Sequence, residues 1–353
     1  MLTVIMPVHN QDMKLFTRAC YSVLGQTKQC LLHVVDDASK EQNSENYQNF
    51  CDAHNIAYSR LNTNVGPGGA RQWGIDNGYK MADLISFIDS DDMYLPQFCD
   101  IMTAEMQKTG ADYLVGNMIH EGNSRANDTK ITWRNGVTWL HGKVYRRSFL
   151  ERNNIHFHKN IWFNEDVYFN SKAAHWSDNH GHIDKDLYVW FNNKDSVTRQ
   201  IHSFAWYQQH NIGYFLSQLY VLEEVLRAHQ PVDIGVLIGQ LYNAYQTELI
   251  VNPESGVAVS MDIMIWNHLH DIPQEIWAEY FEKERFPYRV ENVLHHWFAP
   301  HFFQQNYLDW FENFKEVIAN DSRKNFGASL YRNNFGKGGI WERYSGEYDD
   351  FPL

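Results

Sequence analysis

The chain has 353 residues and a formal net charge of −13, with 44% apolar and 15% aromatic residues. This length and apolar content suffice for one large globular domain or two ordinary ones. The strongly acidic balance argues against indiscriminate binding to polyanions. The four cysteines form no C-x-x-C pair, so we expect reduced thiols and no disulfide framework.

The N-terminal stretch MLTVIMPVHN lacks the basic start and long apolar segment of a secretion signal, and no run of 18 apolar residues follows it. We therefore expect a protein without a transmembrane segment that resides in the cytoplasm. Peripheral association with the inner membrane face stays open as an alternative.

Short apolar runs alternate with amphipathic segments over residues 2 to 119. The runs LTVIMPV, LLHVVDD, IAYSRL and LISFID predict strands, and the segments between them predict helices. Strands separated by such helices predict an α/β fold with a Rossmann-like, mostly parallel sheet flanked by helices. Ligands bind beyond the carboxyl ends of the strands in such sheets.

A polar cluster follows each of the four predicted strands. These clusters are Pro7, His9 and Asn10; Asp36 and Asp37; Asn64 and Gly66 to Arg71; and Asp89 to Asp92. Each cluster alone is explained as an ordinary turn, cap or surface charge. Four clusters on one sheet edge instead predict a nucleotide diphosphate site, in which the glycine-rich turn NVGPGGAR suits an anion.

The stretch FIDSDD places Asp89, Asp91 and Asp92 within four positions, although like charges repel. Capping the helix that follows needs one carboxylate rather than three. A hard divalent cation, Mg²⁺ or Mn²⁺, takes oxygen ligands and removes the repulsion. The stretch is therefore a candidate metal site.

Four motifs together resemble the donor half of family 2 glycosyltransferases, enzymes with the GT-A fold. They are VIMPVHN, VVDDAS, NVGPGGARQWGI and FIDSDD, in this order and spacing, and the resemblance covers about residues 1 to 200. It implies an inverting transfer from a nucleotide diphosphate sugar, with a UDP-sugar as the expected donor and Mn²⁺ or Mg²⁺ as the cofactor. The implied donor-binding residues are Pro7, His9, Asp36 or Asp37, Asn64, Gly66, Arg71 and Asp89. The implied metal ligands are Asp89 and above all Asp91, which leaves Asp92 to the turn and the helix.

The stretch IWFNEDVYFNSKAAHW contains a second acidic pair, Glu165 and Asp166, after a potential capping residue, Asn164. On its own the pair is explained by the preference of carboxylates for a helix start. The family has an E-D pair at this distance from its D-x-D motif, with the Asp as general base. The resemblance therefore assigns the base to Asp166 and an orienting role to Glu165.

The acceptor side is predicted from two further stretches. In TWLHGKVYRRSFL the resemblance suggests Trp139, His141 and Gly142 near the acceptor, and Arg146 either there or as a solvated charge. The stretch LYVWFNNKDSVTRQ resembles the segment that closes over the donor, with Asn193, Lys194, Ser196 and Arg199 as candidates. Residues 125 to 159 carry eight basic and two acidic residues, which favours an anionic acceptor as much as a solvated face.

The acceptor classes that the resemblance implies are a cell-wall or surface polysaccharide and a lipid-linked glycan. Modified DNA is the alternative, because an enzyme that flips a hydroxymethylated base out of the duplex would reach its hydroxyl. A catalytically inactive nucleotide-sugar binding protein is a third hypothesis, which the presence of Asp91 and Asp166 opposes. A glycoside hydrolase also uses paired carboxylates, but it leaves the nucleotide and metal clusters unexplained.

The pattern changes after residue 200, where long segments repeat apolar residues at helical spacing. We expect a catalytic domain at 1–200, with donor and metal binding at 1–119 and the acceptor side and base at 120–200. A helical accessory domain at 201–353, with a glycine- and asparagine-rich tail, is expected to follow. The helical region is also the expected interface of a homo-oligomer.

Overall fold

A computed structural model describes residues 1–121, 131–133, 139–191, 193, 204–232, 234–251, 264–265, 267–269 and 271–281. The chain divides into two compact units, Met1–His202 and Ser203–Leu353. The predictions made for Lys194, Ser196, Arg199 and the tail lie outside the described residues.

The described part of the first unit is a sheet of nine strands with six helices. The strands are β1 (Leu2–Val8), β2 (Leu31–Asp36), β3 (Ala57–Arg60), β4 (Leu84–Phe87), β5 (Met93–Tyr94), β6 (Tyr113–His120), β7 (Ile131–Trp133), β8 (Lys143–Arg146) and β9 (His180–Trp190). The helices are α1 (Met13–Leu24), α2 (Glu41–Ala53), α3 (Gly66–Asn77), α4 (Phe98–Thr109), α5 (Arg147–Arg152) and α6 (Glu165–Trp176).

The strand order is β3-β2-β1-β4-β8-β6-β9-β5, with β7 paired to β6. Strands β1 to β4 are parallel to one another, as the alternation of strands and helices predicts. Beyond β4 the sheet is mixed, because β8 runs antiparallel to both β4 and β6 while β9 runs parallel to β6. The predicted α/β sheet flanked by helices is confirmed, and its parallel part is the half that precedes β8.

Strand β1 lies at the centre of the core and is buried along its whole length. Val4 and Met6 belong to the apolar cluster on one face of the sheet, together with residues of α1, α2 and α4. Ile5 belongs to the cluster on the other face, together with residues of α3 and α6. Burial on both faces explains why the strand is a continuous apolar run rather than an alternating one.

Helix α3 lies close to β1 and β2 because a glycine faces them. A Cβ atom at Gly74 would lie 2.6 Å from Cγ2 of Ile5 and 3.3 Å from Cγ2 of Val35. Both neighbours are β-branched residues of buried strands, so they have little freedom to move aside. This close approach sets the height at which Arg71, one turn earlier in the helix, lies above the sheet.

The second unit contains the helices α7 (Phe204–Arg227), α8 (Gly235–Val251) and α9 (Gln274–Phe281) in its described part. Helices α7 and α8 pack against each other, and the Asn211 side chain donates to the Ala244 carbonyl oxygen at 3.1 Å. Both helices follow the helical spacing of apolar residues in the sequence. Within the described ranges, none of the helices combines the length and the apolar character needed to cross a membrane.

We expect Gly74→Ala to lower the thermal stability of the chain. Alanine is the better helix former by about 1 kcal/mol, but crowding in a packed core costs about 1–3 kcal/mol. Because the added methyl group meets Ile5 at 2.6 Å, crowding should prevail. Circular dichroism melting checks this, with the exposed Asp76→Ala in the same helix as a control. A melting temperature raised by Gly74→Ala would contradict the packing described for α3.

Candidate active site

The polar clusters that follow β1, β2 and β3 meet at one edge of the sheet. His9 Nδ1 lies 2.7 Å from the carbonyl oxygen of Asp37 and 3.1 Å from Nδ2 of Asn64. The Val65 amide, at the start of α3, donates to Asp37 Oδ1 at 2.7 Å. The structure therefore brings together three loops that are far apart in the sequence.

Pro7 and Gly66 lie at the same edge of the sheet, and the backbone at each position suits its residue type. The Ile5 carbonyl oxygen accepts from the Ile88 amide on the β4 side, and the pairing of β4 with β1 ends at Ile5. The Val8 carbonyl oxygen accepts from the Asp37 amide on the β2 side. Pro7 therefore faces the side on which β4 has ended, where its missing N–H breaks no ladder bond. Gly66 has a φ of +78°, a conformation that glycine adopts without strain, and the ring of Trp162 lies against it.

The structure separates the roles of Asp36 and Asp37. Asp36 is fully buried and accepts hydrogen bonds from the Ser39 amide at 2.9 Å, the Ser44 hydroxyl at 2.6 Å and the Tyr58 hydroxyl at 2.7 Å. Burial acts to raise the pKa of Asp36, but these hydrogen bonds together lower it. Asp36 therefore fixes the loop after β2. Asp37 is also buried, and its carboxylate accepts from the Val65 amide, so it joins that loop to the start of α3 beside His9 and Asn64.

Arg71 connects the acidic loop after β4 with the acidic start of α6. Its Nη2 donates to Asp89 Oδ1 at 2.6 Å, and its Nη1 donates to Glu165 Oε1 at 2.7 Å. Gly68, one turn before Arg71, allows this approach, because a Cβ atom there would lie 2.6 Å from Cγ of Glu165. Two segments that are 76 residues apart in the sequence thus share one guanidinium.

This geometry corrects the prediction that Arg71 contacts the nucleotide. Its side chain is 7% exposed, and both terminal nitrogens bind carboxylates. Burial alone would lower the pKa of Arg71, but the charges of Asp89 and Glu165 raise it, so the guanidinium stays charged. A buried cation that is neutralised by two carboxylates positions those groups rather than binding a phosphate.

Asp92 was predicted to stabilise only the turn and the following helix, but it also contacts β9 and the residue after it. It is buried and accepts from the Tyr188 hydroxyl at 2.7 Å and the Phe191 amide at 3.0 Å, which ties the acidic loop to the end of β9. Asp91 accepts from Nδ2 of Asn193 at 3.1 Å. Asn193 is thus a described member of the segment predicted to close over the donor, and it contacts the acidic loop.

His141 approaches the acidic loop from the turn that precedes β8, the neighbour of β4 in the sheet. Its Nε2 lies 3.4 Å from Asp89 Oδ2 and 3.9 Å from Asp92 Oδ2. Its ring stacks on Tyr188 with the centroids 4.7 Å apart. The sequence places His141 on the acceptor side, whereas the structure places it against the acidic loop.

Asp89, Asp92 and His141 form a candidate metal centre. One ligand atom from each of the three lies within 4.8 Å of the other two. Burial and the charges of neighbouring carboxylates raise the pKa of both Asp91 and Asp92, which is the expected result when acidic groups crowd together without a cation. The donor set therefore fits a divalent cation, with Asp89 shared between this cluster and the predicted pair of Asp89 and Asp91.

The second acidic pair begins helix α6 at Glu165, as predicted. Asn164 precedes it with a φ of +60° and makes no side-chain capping bond. Glu165 is buried against Arg71, whereas Asp166 is partly exposed. Burial and the charge of Glu165 raise the pKa of Asp166 to about 7, against the opposing effect of Arg71. A partly exposed carboxylate with this pKa is suited to act as a general base at neutral pH.

Trp139 and Gly142 lie beside the acidic loop, next to His141. Trp139 is partly buried, with its ring 6.1 Å from that of Trp190. Gly142 has a φ of +66°, and its carbonyl oxygen accepts from the Gly116 amide at 2.8 Å. A Cβ atom at Gly142 would lie 3.2 Å from the Gly116 carbonyl oxygen, so the turn into β8 requires glycine.

Arg146 is not on the acceptor side. It pairs with Leu84, the first residue of β4, and so lies at the opposite end of the sheet from Asp89. Its guanidinium donates to the carbonyl oxygens of Met106 and Ala111, both at 3.0 Å. The prediction was wrong because β8 runs antiparallel to β4, which a basic stretch in the sequence does not reveal.

Two residues of the site are absent from the predictions. Tyr188 donates to Asp92, and its hydroxyl oxygen accepts from the Asp89 amide at 3.3 Å. Lys143, the first residue of β8, is 1% exposed and lies behind Asp166. Lys143 lies in the stretch TWLHGKVYRRSFL and Tyr188 in LYVWFNNKDSVTRQ, but neither pattern distinguished these two residues from their neighbours.

Comparison with known proteins identifies the region that carries this site. Residues 3–165 match the family model described as glycosyl transferase family 2. The succinoglycan biosynthesis protein ExoW of Rhizobium meliloti is 32% identical over 97 residues, which are 27% of this chain and 30% of that protein. The glycosyltransferase GlyA of Streptococcus pneumoniae is 31% identical over 119 residues, which are 33% of this chain and 16% of that protein. The matches thus span less than a third of each relative.

Solved structures share the fold at lower identity. The structure of S. aureus TarS 1-349 in complex with UDP aligns with a TM-score of 0.57 and 18% identity, and it covers 100% of this chain and 94% of that chain. The complex of the same protein with UDP-GlcNAc aligns equally well over 88% of this chain and 91% of that chain. Residues 3–165 therefore carry a glycosyl transferase family 2 domain, and the chain shares the fold of these solved structures.

Proposed function

We propose that this protein transfers a sugar from a nucleotide diphosphate sugar to a hydroxyl group of a glycan, with inversion at the anomeric carbon. The observation that carries the proposal is the arrangement around Arg71. Its guanidinium holds the acidic loop of the donor side through Asp89 and the acidic start of α6 through Glu165. Asp166, which follows Glu165 at the start of α6 and is partly exposed, is therefore the carboxylate that we assign to the acceptor.

Asp166 is proposed to remove the proton of the attacking hydroxyl. With a pKa of about 7, it is substantially ionised at neutral pH and still basic enough to take a proton as the bond to the sugar forms. Glu165, paired with Arg71, orients the first turn of α6 and does not compete for the acceptor.

The nucleoside is proposed to bind between the loops after β1, β2 and β3. The backbone carbonyl oxygen of Asp37 contacts the His9 ring nitrogen and the Asn64 amide, and the Asp37 carboxylate lies at the start of α3. Uracil presents an imide donor between two carbonyl acceptors, which such a set can pair with. The likeness of the fold to a protein solved with UDP supports a UDP-sugar as donor.

A divalent cation, Mn²⁺ or Mg²⁺, is proposed to be held by Asp89 with either Asp91 or the pair of Asp92 and His141. When bound, such a cation acts as a Lewis acid that offsets the charge of the departing diphosphate. The raised pKa of Asp91 and Asp92 supports a cation among these carboxylates.

A polysaccharide or its lipid-linked precursor is the acceptor class that we favour. One relative is named for succinoglycan biosynthesis, which is a property of that protein. Arg146 and Arg147 donate to protein carbonyl groups, so part of the basic stretch that suggested a polyanion serves the fold. No observation singles out modified DNA, and the intact arrangement of Arg71 and Asp166 opposes an inactive binding protein.

Asp166→Asn is expected to lower the transfer rate by about 10²–10⁴-fold, because a general base contributes about that much. Binding of UDP, measured by calorimetry, should stay within twofold of the unchanged protein. Transfer by the unchanged protein should decline as the pH falls through about 7, since the carboxylate is then protonated. A fully active Asp166→Asn variant would refute the assignment of the base.

Asp37→Asn and Asp36→Asn should separate recognition from folding. Asp37→Asn is expected to weaken UDP binding, and because its Oδ1 can still accept from the Val65 amide, the melting temperature should fall less than in Asp36→Asn. Asp36→Asn should lower the melting temperature and leave UDP binding unchanged. It leaves the buried hydroxyl donors of Ser44 and Tyr58 poorly paired, which costs about 1–3 kcal/mol. Calorimetry and thermal melting of both variants test this, and a UDP affinity that depends on Asp36 alone would overturn the assignment.

Chelation with EDTA is expected to abolish transfer, and Mn²⁺ to restore it. Asp89→Asn should weaken Mn²⁺ binding at least tenfold, as measured from the electron paramagnetic resonance of free Mn²⁺. The exposed Asp52→Asn on α2 is the control. Asp91→Asn and His141→Gln distinguish the two ligand sets by which of them weakens Mn²⁺ binding. An unchanged Mn²⁺ affinity in Asp89→Asn would contradict a cation site at the acidic loop.

A further inference from the structure

We propose that Lys143 is a positioning residue for the general base. Its ammonium group holds the side chain of Asn170, and Asn170 holds the backbone of Asp166 at the start of α6. The inference rests on the proposed role of Asp166 and adds a residue that neither the motifs nor the acidic clusters point to.

The contacts form a short chain from β8 to the base. Lys143 Nζ donates to Asn170 Oδ1 at 3.0 Å and also to the Trp139 carbonyl oxygen. The Tyr145 hydroxyl donates to the same Asn170 oxygen at 2.6 Å. On its other side, Asn170 Nδ2 donates to the Asp166 carbonyl oxygen at 2.9 Å.

Lys143 thereby determines which way the Asn170 amide points. The oxygen and nitrogen of an amide are told apart by their partners, and here two donors face the oxygen. The NH₂ group must then face the first turn of α6, where it satisfies the Asp166 carbonyl oxygen. Without the ammonium, the amide loses one of the two donors that fix this orientation.

Lys143 also acts on the charge of Asp166. The positive charge of Lys143 helps to stabilise the ionised form of Asp166. The charged groups that face Asp166 come from three elements, namely Glu165 of α6, Arg71 of α3 and Lys143 of β8.

A purely structural role explains the buried lysine poorly. Taking an ammonium group out of water is unfavourable, so a buried lysine needs a reason beyond filling space. Methionine would fill the same space with an unbranched chain, but the Trp139 carbonyl oxygen and Asn170 Oδ1 would each lose a donor. The base would then lose both its hydrogen-bonded support and its neighbouring cation.

Lys143→Met and Lys172→Met provide a matched pair of variants. Lys172 is also buried on α6, but its ammonium lies 5.9 and 5.6 Å from the ring centroids of Tyr168 and Trp176. We expect Lys143→Met to keep its KM for the donor while kcat falls at least tenfold. Lys172→Met should keep kcat.

The pH profile provides a readout that a structural role would not change. Because removing a cation raises the pKa of a nearby carboxylate, the acidic limb of kcat in Lys143→Met should move to higher pH. If Lys143→Met does not fold, Lys143→Gln serves instead, since it keeps a donor without the charge and should show the same shift.

An unchanged kcat and an unchanged acidic limb in Lys143→Met would overturn the inference, and so would an equal loss of kcat in Lys172→Met. A different result, an Asp166→Asn variant that remains active, would refute the proposed function. The two failures are distinguishable because each concerns a different variant in the same assay.

Discussion

The site depends on one buried cation. The guanidinium of Arg71 binds Asp89 at 2.6 Å and Glu165 at 2.7 Å, and so fixes the distance between the donor loop and the start of the base helix. Gly68 and Gly74 allow this, because they bring α3 against Glu165 and against the sheet. Removing one partner of such a buried arrangement leaves a charge uncompensated, at about 3–5 kcal/mol.

The carboxylates around Arg71 differ in how strongly their ionised forms are stabilised. Asp89 is held ionised, since the positive charge of Arg71 outweighs the effect of burial on its pKa. Asp91 and Asp92 have raised pKa values because further negative charge lies beside them. Burial and the charge of Glu165 raise the pKa of Asp166 to about 7, against the opposing effects of Arg71 and Lys143. The acidic loop thus carries negative charge that a cation would offset, whereas the Asp166 carboxylate can exchange a proton near neutral pH.

The sequence predicts the parallel half of the sheet well, because strand periodicity and helix length act locally. It also predicts that Asp37, His9 and Asn64 meet, since parallel strands end at one edge. It failed for Arg146, whose position follows from the antiparallel direction of β8. It failed for Arg71 as well, because a buried guanidinium and a phosphate-binding one look identical in a motif, and only the tertiary partners distinguish them.

The most direct test of the account is the anomeric configuration of the product. Transfer from an α-linked UDP-sugar in the presence of Mn²⁺, followed by proton nuclear magnetic resonance of the isolated product, reports the new linkage. A single displacement assisted by Asp166 from the face opposite the diphosphate predicts a β-linked product and no α-linked one. An α-linked product would contradict the proposed arrangement of donor, acceptor and base.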